Sequence, residues 1–461
     1  SFWESSLRRG GVWREEKGEK VSLSRGLSAH RIDVHSKNEE GSGSLRLLTF
    51  PGSFFDGRGA NRSWLQELPD PLHKIVWGAW VELDPETARK HKIRDGDLVV
   101  VESGYGSIEA PALLYEGVPE DAIAIPLGQG HTDFGRYASS VGVNPLNLLS
   151  GKQDEVTGGQ HWSTDGIRLT RTKRRSTLAT TSGNRLQLKR EIVQVVMGAA
   201  YKMISGIKKH KPLELPGRVG FYKLHPHPEH RWGMVIDLQK CTGCGACVVG
   251  CYAENNVPVV GKKIVMQGRE MAWISIQAYY GEENEITDRV LFLPMLCQQC
   301  DDAPCEPVCP VYATYHTPEG LNAQIYNRCV GTRYCSNNCP YKARRFNWFE
   351  WKWPEPLNWQ LNPDITVRSR GVMEKCNFCI QRIVEAKNRA KDEGRKVKDG
   401  EIIPACAQTC PTGAITFGDL KDEKSVVSRL SKDERGYHVL EELNTTPAIT
   451  YLKKVLYERG E

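Results

Sequence analysis

The chain has 461 residues, 39 % of them apolar, with a mean hydropathy of −0.47 and a formal net charge of +6. That length gives room for two or three domains with full-sized cores. No apolar run approaches the roughly 18 residues that a membrane helix needs, and the small, interspersed positive charge gives no argument for a nucleic-acid partner.

The chain opens on Ser1 with no visible signal peptide, so we expect a processed or incomplete chain and read no compartment from it. Residues 1–170 are free of cysteine and punctuated by glycine and proline. Strand-like runs recur at Asp97–Glu102, Ser107–Tyr115 and Ala122–Pro126. Between them, Asp84 is a natural N-cap, Pro85 suits the first helical position and Glu86 the first turn, which predicts a short helix ending near Arg94, before the Asp95–Gly96 turn. Strands around one short helix predict a compact β-barrel domain.

Residues 171–230 read as a connector, polar in TKRRSTLATTSGNR and with one predicted helix from Leu188 to about Gly206. Its apolar part, Ile192 to Ile204, is broken by Gln194 and Lys202, which marks an amphipathic packing helix and not a span. Work at a membrane would therefore go through a partner. The following HPHPEH places His225, His227 and His230 between prolines, where they cannot share a helix face; a solvent-exposed loop is expected there instead of a metal site. Residues 231–461 hold every cysteine, and the charged stretch Asp419–Glu461 has a helical period that predicts an outer wrapping segment.

The 15 cysteines fall into four groups. CTGCGACVVGC holds Cys241, Cys244, Cys247 and Cys251; CQQCDDAPCEPVCP holds Cys297, Cys300, Cys305 and Cys309. CVGTRYCSNNCP holds Cys329, Cys335 and Cys339, with Thr332 at the second ligand position. The fourth group is split between CNFC, with Cys376 and Cys379, and CAQTCP, with Cys406 and Cys410. A disulfide framework does not suit an odd count at this spacing in a large chain. Structural zinc uses four ligands per site, often as two separated pairs. Three or four cysteines in one short loop, often closing on Cys-Pro, is instead the iron–sulfur spacing.

In such a loop the first three thiolates wrap one cluster, while the fourth cysteine starts a helix and serves the neighbouring cluster. This crossing rule assigns 4Fe–4S cluster A to Cys241, Cys244, Cys247 and Cys410, and 4Fe–4S cluster B to Cys376, Cys379, Cys406 and Cys251. It assigns 4Fe–4S cluster C to Cys297, Cys300, Cys305 and Cys339, and leaves cluster D with Cys329, Cys335 and Cys309. A threonine hydroxyl is a poor substitute for a thiolate at iron, so cluster D is expected to be 3Fe–4S, with its vacant corner at Thr332; retention of a fourth iron by water or another side chain is the alternative. No base or nucleophile motif accompanies the cysteines, so the groups describe a wire and no catalytic residue is assigned. The segment Phe346–Trp359 holds four of the 12 tryptophans and reads as a packed loop over C and D, as a docking surface, or as both.

From Trp232 to Leu420 the sequence resembles the four-cluster ferredoxin subunits of the polysulfide, dimethyl sulfoxide and nitrate reductase group. CTGCGACVVGCYAENNVPVVGK, EGLNAQIYNRC and CVGTRYCSNNCPYKARRFNWF bring it nearer to the iron–sulfur subunits of bacterial alternative complex III, a quinol:electron-acceptor oxidoreductase. WLQELPDPLHKIVWGAWVELDPETA and GQGHTDFGRYASSVGVNPLNLL are similar to the C-terminal domain of molybdopterin oxidoreductases, a double-psi β-barrel. The resemblance implies a non-catalytic electron-transfer subunit, peripheral on the periplasmic face, beside an integral membrane quinol-binding protein and multihaem and monohaem cytochromes c. Electrons would enter at D and pass through C, B and A, or branch to the haem c subunits. It also implies a vestigial barrel without molybdenum, in which His131, Asn144 and His161 are structural. The alternatives are the iron–sulfur subunit of a molybdopterin-dependent enzyme and a zinc-organised interaction module.

Overall fold

Alternation of buried and half-exposed residues along Asp97–Glu102 turns Val99 and Val101 inward, as a strand with one face on a core requires. The structure is a computed structural model and describes residues 45–456 apart from 155, 182–184, 199–224 and 281–289. Six strands close into a barrel in the order Leu45–Pro51, Ala122–Leu127, Val81–Leu83, Ser107–Leu114, Asp97–Glu102 and Ser163–Arg175. Leu45–Pro51 runs parallel to Ala122–Leu127, and Val81–Leu83 parallel to Ser107–Leu114, while the remaining pairs are antiparallel. Leu47, Val81, Leu83, Val99, Val101, Ile123 and Ile125 fill the interior. This is a double-psi β-barrel.

The predicted helix is present as Pro85–Lys90, with the Asp84 side chain accepting from Glu86 N at 2.7 Å. It ends earlier than the Asp95–Gly96 turn because Lys92 takes a left-handed φ of 57° and Ile93 N returns to Ala88 O at 2.8 Å.

Behind the barrel come tandem ferredoxin-like units around one sheet, ordered Ile415–Asp419, Trp232–Asp237, Ile449–Leu452, Gly436–Tyr437. Met234, Ile236, Ile449 and Tyr451 are essentially fully buried in it. Two-stranded hairpins at Ile274–Tyr279 with Leu291–Leu296, and at Thr314–His316 with Asn322–Gln324, carry the loops of the second cysteine group.

Two expectations give way here. Leu188, Lys189 and Glu191 take positive φ, which a right-handed helix forbids, and β-branched Val195 and Val196 lie in a short strand, Val195–Met197, parallel to Lys454–Leu456. The predicted helix beyond residue 198 falls outside the described residues. Among the described residues the stretch after Asp419 keeps one short α-helix, Val426–Leu430, and a 3-10 turn, Glu441–Leu443; its apolar Ile449–Leu452 is a sheet strand buried throughout, so burial overrides the helical period of the charges around it.

The barrel meets the ferredoxin units through buried polar contacts. Trp64 Nε1 donates to Val257 O at 3.2 Å, and its ring lies 5.1 Å from that of Trp353. Glu67, only 3 % exposed, accepts from Val260 N and Gly261 N at 3.0 and 2.9 Å and from Trp77 Nε1 at 3.1 Å. Burial pushes its carboxyl up to about 7 against the pull of those donors. The folded protein therefore keeps a proton that the unfolded chain has lost above pH 4.5. Stability is greatest below that value, falls as pH rises and levels off above about 7, for a total of about 3 kcal/mol. Glu67→Gln should flatten this part of the profile, read as the difference in unfolding midpoint between pH 5 and pH 8; an unchanged pH slope in the variant contradicts it.

Candidate metal centres

Three of the cysteine motifs enter a helix from a left-handed residue: Gly245 before Ala246–Glu254, Arg333 before Tyr334–Asn338, and Cys379 before Ile380–Asp392. That reversal ends the loop and starts the helix in one step, which in the first motif separates the direction of Cys251 from that of the loop. At Gly245 (φ 77°) a side chain would also strike Leu68 Cδ1, 2.7 Å from an added Cβ.

The structure gathers the cysteines into four neighbourhoods, and none of the 15 is in a disulfide. Cys247 lies beside Cys241, Cys244 and Cys410. Cys251 lies beside Cys376, Cys379 and Cys406, and Asn255 Nδ2 reaches the sulfurs of Cys251 and Cys379 at 3.5 and 3.8 Å. Cys300 lies beside Cys297, Cys305 and Cys339. Cys335 lies beside Cys329 and Cys309. The neighbourhoods themselves form a series: Cys406 is near Cys247, Cys376 is near Cys297, and Arg344 stands between Cys305 and Cys335. All eight cysteines of the two middle groups are buried, whereas the outer groups reach the surface at Cys244 and Thr332.

Burial pushes the Cys247 and Cys376 thiols up to about 12 and Cys305 to about 11, and it drives Cys251, Cys300 and Cys406 well above the ordinary thiol value, with neighbouring cysteines adding to each. Crowded, buried thiols of this kind become thiolates only with a cation to share their charge. At Cys309 and Cys410 burial also pushes up, but backbone N–H donors at Cys309, and the Thr412 hydroxyl with backbone N–H donors at Cys410, outweigh it and hold both below the ordinary thiol value. Ala313 N lies 3.1 Å from Cys309 Sγ and Ala414 N 3.3 Å from Cys410 Sγ. The donor set, the N–H···S contacts and the exclusion of water fit iron–sulfur clusters.

Thr332 lines a cavity of about 470 Å³ with Arg269, Arg333, Arg344, Phe346 and Trp348. Arg269 and Arg333 each place a guanidinium carbon 4.3 Å from the Trp348 ring centroid. The tryptophan-rich segment divides in character: Trp353 is buried against Trp64 and Trp351, while Trp359 is 82 % exposed.

His225, His227 and His230 do not form an exposed loop. His225 stacks on His316 at 3.9 Å, His227 Nε2 lies 3.1 Å from Asp301 Oδ1, and His230 Nδ1 lies 2.7 Å from Asp419 Oδ2. Asp301 Oδ1 also sits 3.0 Å from Arg231 Nη2 and from His316 Nε2. Partners more than 70 residues away in sequence cover these histidines, and no local pattern signals them. In the barrel, the His131 ring packs tilted against Phe134, centroids 4.7 Å apart, and closes over Gly57. Asn144 Oδ1 accepts from Leu146 N at 3.1 Å, capping Pro145–Leu148, and His161 is exposed, with its N bonded to Lys152 O at 3.2 Å.

Fold and site together define an iron–sulfur protein: cysteine groups of ferredoxin spacing in series, behind a double-psi barrel. Residues 58–161 match the family described as Molydopterin dinucleotide binding domain, and residues 240–313 and 289–354 match two families described as 4Fe-4S dicluster domain. The chain is 43 % identical over 231 residues to the menaquinone reductase iron–sulfur cluster-binding subunit of Nitratidesulfovibrio vulgaris, covering 49 % of this chain and 89 % of that one. It is 37 % identical over 223 residues to the iron–sulfur subunit of a putative dimethyl sulfoxide reductase of Halobacterium salinarum (48 % and 78 %). It is 33 % identical over 243 residues to the Hdr-like menaquinol oxidoreductase iron–sulfur subunit 1 of Archaeoglobus fulgidus (49 % and 84 %). The chain belongs to this family of oxidoreductase iron–sulfur subunits. Among the described residues no helix is long and apolar enough to cross a membrane.

Proposed function

We propose that this chain is the electron-transfer subunit of a membrane-bound quinol:electron-acceptor oxidoreductase of the alternative complex III kind, peripheral on the periplasmic face. Its partners on this reading are an integral membrane quinol-binding protein and cytochromes c. The groups assigned above to A, B and C hold 4Fe–4S clusters, and Cys309, Cys329 and Cys335 hold a 3Fe–4S cluster facing Thr332. One-electron transfer is the chemistry such clusters supply when bound. The chain's own part is to hold them in order, keep water from the middle two, and present the ends of the series at Thr332 and Cys244.

One observation carries the reading: four cysteine neighbourhoods adjoin in an unbroken series, with interior members buried and both end members open to the surface. That arrangement suits relay between two partners better than chemistry at one pocket. Likeness to subunits named for menaquinone and menaquinol chemistry supports a quinol as the electron source. The test is reduction of the chain, reconstituted with its membrane partner, by a menaquinol analogue, followed by EPR. The three-iron signal should respond first; reduction that begins at the cubanes and bypasses it contradicts the direction of flow.

A second reading, the iron–sulfur subunit of a molybdopterin-dependent enzyme, is favoured by the family match over residues 58–161. Against it stands the barrel's own packing. An added Cβ at Gly130 would lie 2.2 Å from the backbone of Val143 and Asn144, and one at Gly57 would lie 2.7 Å from His131 Nε2. These loops close on the chain's own residues, which supports a scaffold. Stoichiometric molybdenum in the purified complex establishes the second reading; a complex without molybdenum leaves the first.

A further inference from the structure

Five cations are buried among the described residues: Lys74, Arg231, Arg344, Arg368 and Lys375. Arg231 pairs with Asp301 at 3.0 Å and Arg368 with Glu374 at 2.8 Å. Arg344 has no carboxylate partner among the described residues. Its Nη2 lies 2.6 Å from Thr314 Oγ1 and from Asn322 Oδ1, and its Nη1 lies 2.9 Å from Gln324 Oε1, all neutral acceptors. Nε is buried and has no hydrogen-bond partner there. A buried charge left unpaired costs several kcal/mol, so a guanidinium in this position marks an anionic neighbour. The neighbours are sulfurs. Nη2 is 3.2 Å from Cys305 Sγ, and Cys335, Cys297 and Cys339 lie within its electrostatic reach.

Resting on the cluster assignment proposed above, we infer that Arg344 is a fixed positive charge that raises the reduction potentials of the two clusters it separates, C and D. Reduction adds negative charge to a cluster, and a guanidinium at hydrogen-bond distance from its thiolates favours the more negative state. Arg344 is only 5 % exposed, so the interaction is screened less than at a surface. Arginine keeps its charge at any working pH, so the bias is constant, and its hydrogen bond to sulfur acts in the same direction. Because one side chain acts on both thiolate sets, it moves both potentials in the same direction. Arg344 is a positioning and tuning residue, not a catalytic one.

The test is an EPR-monitored redox titration of the full chain with its clusters bound. Arg344→Met should let the oxidised three-iron signal persist to lower potential and shift one cubane component down, while signals from the Cys241 group stay in place. Arg344→Lys should restore both midpoints toward the wild-type values. Gln324→Leu, which removes a neutral partner and no charge, should leave them unchanged. Unshifted midpoints in a fully iron-loaded Arg344→Met variant overturn the inference, and so does a Gln324→Leu variant that shifts as Arg344→Met does. If Arg344→Met loses iron, Arg344→Lys decides. Regained iron with wild-type midpoints supports a role of charge; lowered midpoints, or iron lost again, overturn it. Iron content and the three-iron signal of the unaltered chain test the cluster assignment separately. Should D hold a cubane, the same shift is read on the cubane signals alone.

Discussion

Replacing Thr332 by cysteine is expected to abolish the oxidised three-iron EPR signal and raise the iron content from about 15 to about 16 per chain. Thr332 is exposed at the rim of a cavity, so the added thiol displaces no core atom. A hydroxyl stays protonated at iron under ordinary conditions, whereas a thiol beside a metal gives up its proton readily. The substitution therefore supplies the one donor that the third cysteine group lacks relative to the other three. Cluster type and charge set potential, so completing the cage should also slow reduction by quinol. An unchanged three-iron signal in a folded variant would mean that Thr332 does not face the vacant corner.

Cys251→Ser is expected to remove cluster B and leave cluster A, although Cys251 stands in the same short motif as three of the cysteines assigned to A. The reason is spatial. Cys251 lies on Ala246–Glu254, beyond the left-handed Gly245, and its neighbours are Cys376, Cys379 and Cys406. Asn255 further ties it to Cys379. Iron should fall by about four per chain, and the remaining EPR spectrum should match that of Cys376→Ser. A spectrum matching Cys247→Ser instead would show that the motif keeps its fourth cysteine to itself, and the crossed scheme would fail.

Local signals carried much of this architecture. Period-two burial in Asp97–Glu102 and Ser107–Leu114, and the Asp84–Pro85 helix start, are short-range effects that neighbouring residues decide. The cysteine spacing, which points to iron–sulfur chemistry, is equally local. Long-range packing was not legible. The histidines of HPHPEH are held by Asp301, His316 and Asp419, far along the chain, and proline spacing says nothing of such partners. Val195–Met197 is a strand because Lys454–Leu456 offers an edge, a fact absent from its own periodicity. Arg344 reads in sequence as one more basic residue in KARR. Only the fold reveals that it is buried between two cysteine groups, with no carboxylate partner among the described residues.

Iron and acid-labile sulfide quantified in the purified full chain, together with EPR of the oxidised state, test the central claim most directly. Three cubanes and one three-iron centre predict about 15 irons per chain, sulfide near equimolar with iron, and an oxidised three-iron signal of about one spin. A colourless, zinc-bearing chain without sulfide, or a chain with about 16 irons and no such signal, would contradict it.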